Sequence, residues 1–164
     1  MAVIITVQGS SGSGKTTLIE QVILRLTARG LRVGVVKHAH EGFDLDQRGK
    51  DSHRIWEAGA HAVLVAAPQE LFVRQRCTWS RLSELLGLLP QELDCMFIEG
   101  FTHSVAAIDV PVAVQVEIAQ EGVRLNGQPV RGDRASAAVE AAVMGRLNHD
   151  RVAVESRAGH HGRR

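Results

Sequence analysis

Residues Gly9–Thr16, Gly-Ser-Ser-Gly-Ser-Gly-Lys-Thr, match the pattern G-x-x-x-x-G-K-[ST] in full. That pattern constrains the fold more than anything else in the chain, because it works only between a buried strand and the start of a helix. Both flanks are present. Ala2–Val7 is a continuous apolar, β-branched run, as a strand buried on both faces requires. Lys15–Arg29 carries Leu18, Ile19, Val22, Ile23 and Leu26 at spacings of three and four, the stripe of an amphipathic helix. Glycines let successive backbone N–H groups turn inward to an anion where a side chain would collide with it. The helix N-terminus adds partial positive charge. Gly9, Ser10, Gly12, Ser13, Gly14, Lys15, Thr16 and Thr17 are therefore the candidate phosphate-binding residues. Lys15 is placed to reach β- and γ-phosphates, and the Thr16 hydroxyl to ligate Mg²⁺. The bland alternative is a Gly/Ser-rich turn with an accidental lysine, and the flanking elements argue against it.

Further along, apolar runs bounded by turn residues alternate with helical patterns, which predicts an α/β fold with a mostly parallel central sheet. Gly30 reads as the C-terminal cap of the first helix, and Leu31–Lys37 as the second strand. A polar loop runs to Gly49, followed by a short helix over Lys50–Ala58 closed by Gly59. His61–Ala66 and Glu70–Arg76 read as strands, Trp79–Leu89 as a helix, and Asp94–Ile98 and Pro111–Glu117 as strands. Val123–Val130 reads as a hairpin turning on Asn126-Gly127. Asp133 can cap a last helix over Ala135–Leu147. The length of 164 residues fits a single domain, expected over residues 1–148. Residues 149–164 are rich in Arg, His and Gly without periodicity, and are expected to be disordered.

Nineteen basic and eighteen acidic residues leave a net charge of +1 with no basic stripe, so nucleic acid is not an expected partner. No run has the ~18 apolar residues of a membrane helix, and the opening segment lacks signal-peptide character, so a soluble, cytoplasmic protein is expected. Cys95 falls in an apolar run and reads as a core residue.

Glu99 ends the buried run Cys95–Glu99, where ligands of open α/β sheets bind, and can hold Mg²⁺ or orient a water. The loop His38–Ser52 leaves the second strand on the same rim. In it Asp44 and Asp46 can reach Mg²⁺, and Lys50 can contact phosphate or another anion. Asp51 or Ser52 can equally cap the helix that follows. His38 and His40 would need further ligands, such as Glu41, His53 or His103, to hold a metal, and loop histidines are more often surface or hydrogen-bonding residues.

Several of these segments, taken together, resemble the molybdopterin-guanine dinucleotide biosynthesis protein B family. They are the Gly9–Thr16 loop, Val36-Lys37-His38-Ala39-His40, Phe43-Asp44-Leu45-Asp46, Gly49-Lys50-Asp51-Ser52, Ala58-Gly59-Ala60 and Glu99-Gly100-Phe101. The chain departs from the family in having Glu41-Gly42 where another histidine is usual, and Thr102 where a lysine follows the EGF segment. The resemblance implies a P-loop NTPase three-layer sandwich close to the metallochaperone GTPases, a homodimer, and GTP binding with slow hydrolysis. It implies as partner the enzyme that joins GMP to the pterin of the molybdenum cofactor, with molybdopterin as a further ligand. GTP rests on the resemblance alone, since no [NT]-K-x-D signature is present. On this reading Lys15, Asp46 and Glu99 serve catalysis, and Thr16, Asp46 and Glu99 hold Mg²⁺. Two alternatives stand beside this reading. One is a small-molecule or nucleotide kinase with Arg74, Arg76 and Arg81 as lid arginines, and the other a metal-insertion GTPase using His38 and His40.

Overall fold

The computed structural model describes residues 2–39, 42–101 and 109–160, with side chains from 151 onward described only at Ala153. His40, Glu41, Thr102 and His103 lie outside the described residues, as does the chain beyond His160. Two compact units result, one formed by the chain up to His38 and from Ser80 on, the other by Ala39–Trp79.

The first unit is built on a six-stranded sheet. Its strands are β1 (Val3–Gly9), β2 (Val33–Lys37), β5 (Cys95–Glu99), β6 (Val114–Ala119), β7 (Gly122–Leu125) and β8 (Gln128–Val130), in the order β2-β5-β1-β6-β7-β8. The first four run parallel, and β7 and β8 extend the sheet antiparallel beyond β6. The α/β class with a mostly parallel sheet is thus as expected. β1 sits between β5 and β6 with Val7 opposite Glu99 and Gly9 opposite Ile118. Val3, Ile5 and Val7 of β1 pack with Val22 and Leu26 of α1 (Lys15–Thr27) and Val139 and Val143 of α4 (Ala135–His160). The alternate residues Ile4 and Thr6 are buried as well, which is why β1 lacks a polar alternation. Burial raises the Cys95 thiol to about 11, in keeping with a core residue.

Local chemistry sets the element ends. α1 closes with Gly30 at φ +78°, its N–H on the Thr27 carbonyl and the Leu31 N–H on that of Leu26, the paired bonds of a Schellman motif. The β7–β8 turn places Asn126 and Gly127 at φ +49° and +80°, as the Asn-Gly pair predicted. Asn126 also caps its neighbour strand, its side-chain oxygen accepting the Gln115 N–H at 2.8 Å.

Three expectations need correction. The helix expected over Trp79–Leu89 is only α3, Leu82–Leu86, flanked by Arg81 in extended conformation and by Gly87. The Ser83 N–H and hydroxyl of its first turn are both taken by the Asp109 carboxylate, which long-range contact no local pattern shows. The last helix begins after a 3₁₀ turn (Gly132–Arg134), so Asp133 lies inside that turn rather than at the cap. It does not stop at Leu147 but runs to His160. That stretch lacks an apolar stripe, yet Arg, Ala, Val and Glu are tolerated helix residues and Arg146 and Asp150 pair at i,i+4.

The second unit contains α2 (Asp51–Glu57) and a separate antiparallel pair, β3 (Ala62–Ala67) and β4 (Glu70–Gln75). Trp56 of α2 is buried, with the Arg74 and Arg76 guanidinium carbons 4.3 and 4.1 Å from its ring centroid. Arg76 also donates to the Trp56 and Ala60 carbonyls, fixing the end of α2 against β4.

Candidate functional site

The Gly9–Thr16 loop joins the carboxyl end of the central strand β1 to the first turn of α1. Gly9, Gly12 and Gly14 hold φ of +152°, +73° and +91°, and Gly14 is the residue from which α1 starts. A Cβ on Gly9 would lie 2.5 Å from the Ile118 carbonyl oxygen and 2.7 Å from Ser13 Oγ, so the close passage of the loop over β6 demands glycine there. No acidic side chain occupies the first turn of α1, which leaves the helix-end partial charge for an incoming anion. The Lys15 ammonium folds back over the loop, donating to the Gly9 and Ser10 carbonyls at 2.9 and 2.6 Å.

Beside the loop is a cavity of ≈ 320 Å³ lined by Ser11–Thr17, Lys37 and Glu99. Glu99, at the end of β5, is 6% exposed, so its carboxylate is a buried charge that needs a counter-charge. Two groups from different elements meet its Oε1: the Thr16 hydroxyl of α1 at 3.4 Å and the Lys37 ammonium of β2 at 3.3 Å. The parallel register sets Lys37 opposite Glu99, which places both side chains on one side of the sheet.

The residues after Glu99 serve this placement. The His38 N–H donates to the Glu99 carbonyl at 2.9 Å, continuing the β2–β5 pairing past its end. Gly100 holds φ +87°, with the site of a Cβ 3.1 Å from the His38 carbonyl oxygen. Phe101 is buried, and its ring centroid is 5.1 Å from that of His38. The Glu-Gly-Phe segment thus fixes where the carboxylate emerges. In physical terms the chemistry of the donor set fits a small hard cation, since Thr16 and Glu99 offer oxygen ligands at one point. The loop fits a phosphate, since Ser13 Oγ is buried there without a hydrogen-bond partner among the described residues.

Lys15, Thr16, Thr17 and Glu99 therefore come together in the first unit around one cavity. Asp44, Asp46 and Lys50 belong to the second unit. There Asp46 accepts the Ser52 hydroxyl at 2.8 Å and faces Arg74 at 3.8 Å, its side chain 9% exposed. Ser52 is thus committed to Asp46, and the N-cap residue of α2, Lys50, makes no side-chain cap bond among the described residues. Asp51 stands in the first turn of α2, highly exposed. Arg74 and Arg76, the candidate lid arginines of a kinase, lie against Trp56. Among the described residues no three His, Cys, Asp or Glu side chains gather as a metal site would require, and no helix is long and apolar enough to cross a membrane. Lys37 is the charged cavity residue to which sequence reasoning gave no role. The signal was available, since it is one of only three lysines in the chain and ends a strand on the rim of the loop.

A family model described as molybdopterin guanine dinucleotide synthesis protein B matches residues 4–121. A molybdopterin-guanine dinucleotide biosynthesis adapter protein of Escherichia coli (strain K12) is 38% identical over 97 residues, covering 57% of this chain and 55% of that protein. A protein of the same description from Haemophilus influenzae is 38% identical over 105 residues, covering 58% and 54%. The chain thus spans about half the length of the curated relatives it matches. Among solved structures, that of Bacillus subtilis MobB superposes with a TM-score of 0.56 at 33% identity, over 72% of this chain and 68% of that one. The crystal structure of a molybdopterin-guanine biosynthesis protein B gives 0.65 at 25% identity, over 89% and 99%. With the loop, the Glu-Gly-Phe segment and the sheet order in place, the match over most of the first hundred and twenty residues settles the family: this chain belongs to that of molybdopterin guanine dinucleotide synthesis protein B.

Proposed function

We infer that this protein binds GTP with Mg²⁺ at the Gly9–Thr17 loop and acts as a nucleotide-dependent adapter in molybdopterin-guanine dinucleotide synthesis. The observation that carries the phosphate site is the cavity in which the glycine loop, the Lys15 ammonium and the Thr16–Glu99 oxygen pair converge. On this reading the backbone N–H groups of the loop and the α1 N-terminus cradle the phosphates. Lys15 leaves the Gly9 and Ser10 carbonyls for the phosphate oxygens, and Ser13 gains the partner it lacks. Thr16 and Glu99 would hold the metal, which when bound neutralises phosphate charge. Asp46 would have to give up Ser52 and Arg74 to join them, so it is the weaker of the proposed ligands. Lys50, in the same unit as Asp46, remains a proposed phosphate contact.

Hydrolysis, on this reading, is slow. Within the cavity Glu99 is the one carboxylate among the lining residues, and Lys37 and Thr16 already engage it, so no free general base stands ready for a water. The nucleotide then works as a switch for a partner, the enzyme that transfers GMP to the pterin, with molybdopterin at or near that contact, in the cytoplasm. The names of the related adapter proteins support the pathway. A homodimer is supported by the β3–β4 pair, where Leu64 opposite Val73 and Ala66 opposite Leu71 form an apolar face, Leu64 and Leu71 being 63% and 68% exposed.

Calorimetric titration with GTP and with ATP, each with Mg²⁺, tests the nucleotide, followed by pull-down with the GMP-transferring enzyme. Preference for GTP and capture of that enzyme are expected. Equal binding of ATP, or its preference, would overturn the guanine assignment.

A further inference from the structure

Lys37 and Glu99 are an unequal pair. The Lys37 side chain is 56% exposed and that of Glu99 only 8%. An exposed lysine gains little from a surface ion pair, whereas a buried carboxylate loses much without a cation beside it. Glu99 therefore needs some cation, but not this one in particular. The backbone beneath both is fixed: Lys37 is in register with Glu99, and the next residue, His38, donates its N–H to the Glu99 carbonyl. What remains free to move is the four-carbon stem of Lys37, and it borders the same cavity as Lys15 and Thr16.

We propose that Lys37 is a second lysine of this cavity that binds phosphate, which moves from Glu99 to the terminal phosphate of a bound nucleoside triphosphate and so distinguishes triphosphate from diphosphate. The proposal rests on the phosphate-site reading above and adds the device by which that site senses the nucleotide's state. Its geometry follows from Glu99 Oε1, which both Thr16 and Lys37 approach within 3.4 Å. The Thr16 hydroxyl stands at the end of such a loop where, with Glu99, it would hold a metal beside the terminal phosphates. The Lys37 ammonium stands at that end, whereas Lys15 is tied to the start of the loop at Gly9 and Ser10. A diphosphate fills the loop without presenting an oxygen to Lys37, which then stays on Glu99. A triphosphate presents one.

The test is calorimetry in Mg²⁺ with GTPγS and with GDP on wild type, Lys37→Ala and Lys37→Arg, folding being checked by circular dichroism. A charge-assisted hydrogen bond to the terminal phosphate predicts that Lys37→Ala weakens GTPγS about 10-fold or more and GDP less than about two-fold. Lys37→Arg, which keeps the charge, should retain most of the preference. Equal losses for both nucleotides, or none for either, would overturn the role of Lys37 while leaving the phosphate site in place. A wild type that binds neither these nor ATPγS and ADP would remove the phosphate site itself, and the proposal with it.

Discussion

Replacing Gly9 with alanine should harm the fold more than replacing Gly12, although both glycines lie in the same loop at positive φ. At Gly12 an alanine meets nothing within 4 Å, so its cost is the left-handed backbone alone, about 1–2 kcal/mol. At Gly9, φ is +152°, a region open essentially to glycine, which costs an alanine about 1–3 kcal/mol. The new Cβ would also meet the Ile118 carbonyl at 2.5 Å and Ser13 Oγ at 2.7 Å. Ser13 can rotate away. Ile118 cannot, because it sits on β6 in direct register with Gly9, and β6 is held on its other side by β7. Forcing that approach adds about 1–3 kcal/mol of overpacking, for a total near 4 kcal/mol. For a chain of this size each kcal/mol lowers Tm by about 2–4 °C, so Gly9→Ala should lose about 8–16 °C and Gly12→Ala about 2–8 °C. Scanning calorimetry on both variants, with reversibility checked by a second scan, measures this. Equal losses would refute the collision with β6 as the reason for glycine at the start of the loop.

Lys15→Ala should abolish triphosphate binding in calorimetry with little change in Tm, since the Gly9 and Ser10 carbonyls it leaves can turn to water; undiminished affinity in a folded variant would refute the phosphate site. Glu140 of α4 accepts from Arg29 at 2.6 Å and Arg25 at 3.2 Å of α1, and these bonds hold its carboxyl below the ordinary value of 4.5. Because its pKa is lowered in the folded state, its stabilisation is present above that ordinary value and fades as pH falls through the lowered one. Tm measured from pH 7 downward should therefore fall less steeply in Glu140→Gln than in the wild type across that acidic window, and an identical slope would show that the α1–α4 ion pairs contribute nothing.

What could be read from sequence was mostly what neighbouring residues decide among themselves. The glycine loop, the Gly30 cap and the Asn126-Gly127 turn each need only local backbone freedom and a flanking pattern, and each stands as read. Glu99 was placed correctly at a strand end, but its partners Lys37 and Thr16 come from two other elements and are joined only by the β2–β5–β1 order. Asp46 illustrates the opposite case. As a bare loop carboxylate it looked available to a metal, whereas Ser52 and Arg74 engage it inside its own unit. α3 is shorter than its apolar pattern suggested, and α4 longer than its own, because amphipathic period reports which face is buried and not where the backbone bonds end.

The outermost strand of the main sheet, β8, is three residues long and has Pro129 at its centre, in register with Arg124 of β7. A proline has no N–H to offer a further strand, so this border of the sheet is poorly suited to templating another chain. The parallel half ends instead on β2, whose last residue is Lys37. Growth of the sheet is therefore discouraged at the β8 border, and whatever strand-like contact the molecule makes through this sheet falls to the border that carries Lys37.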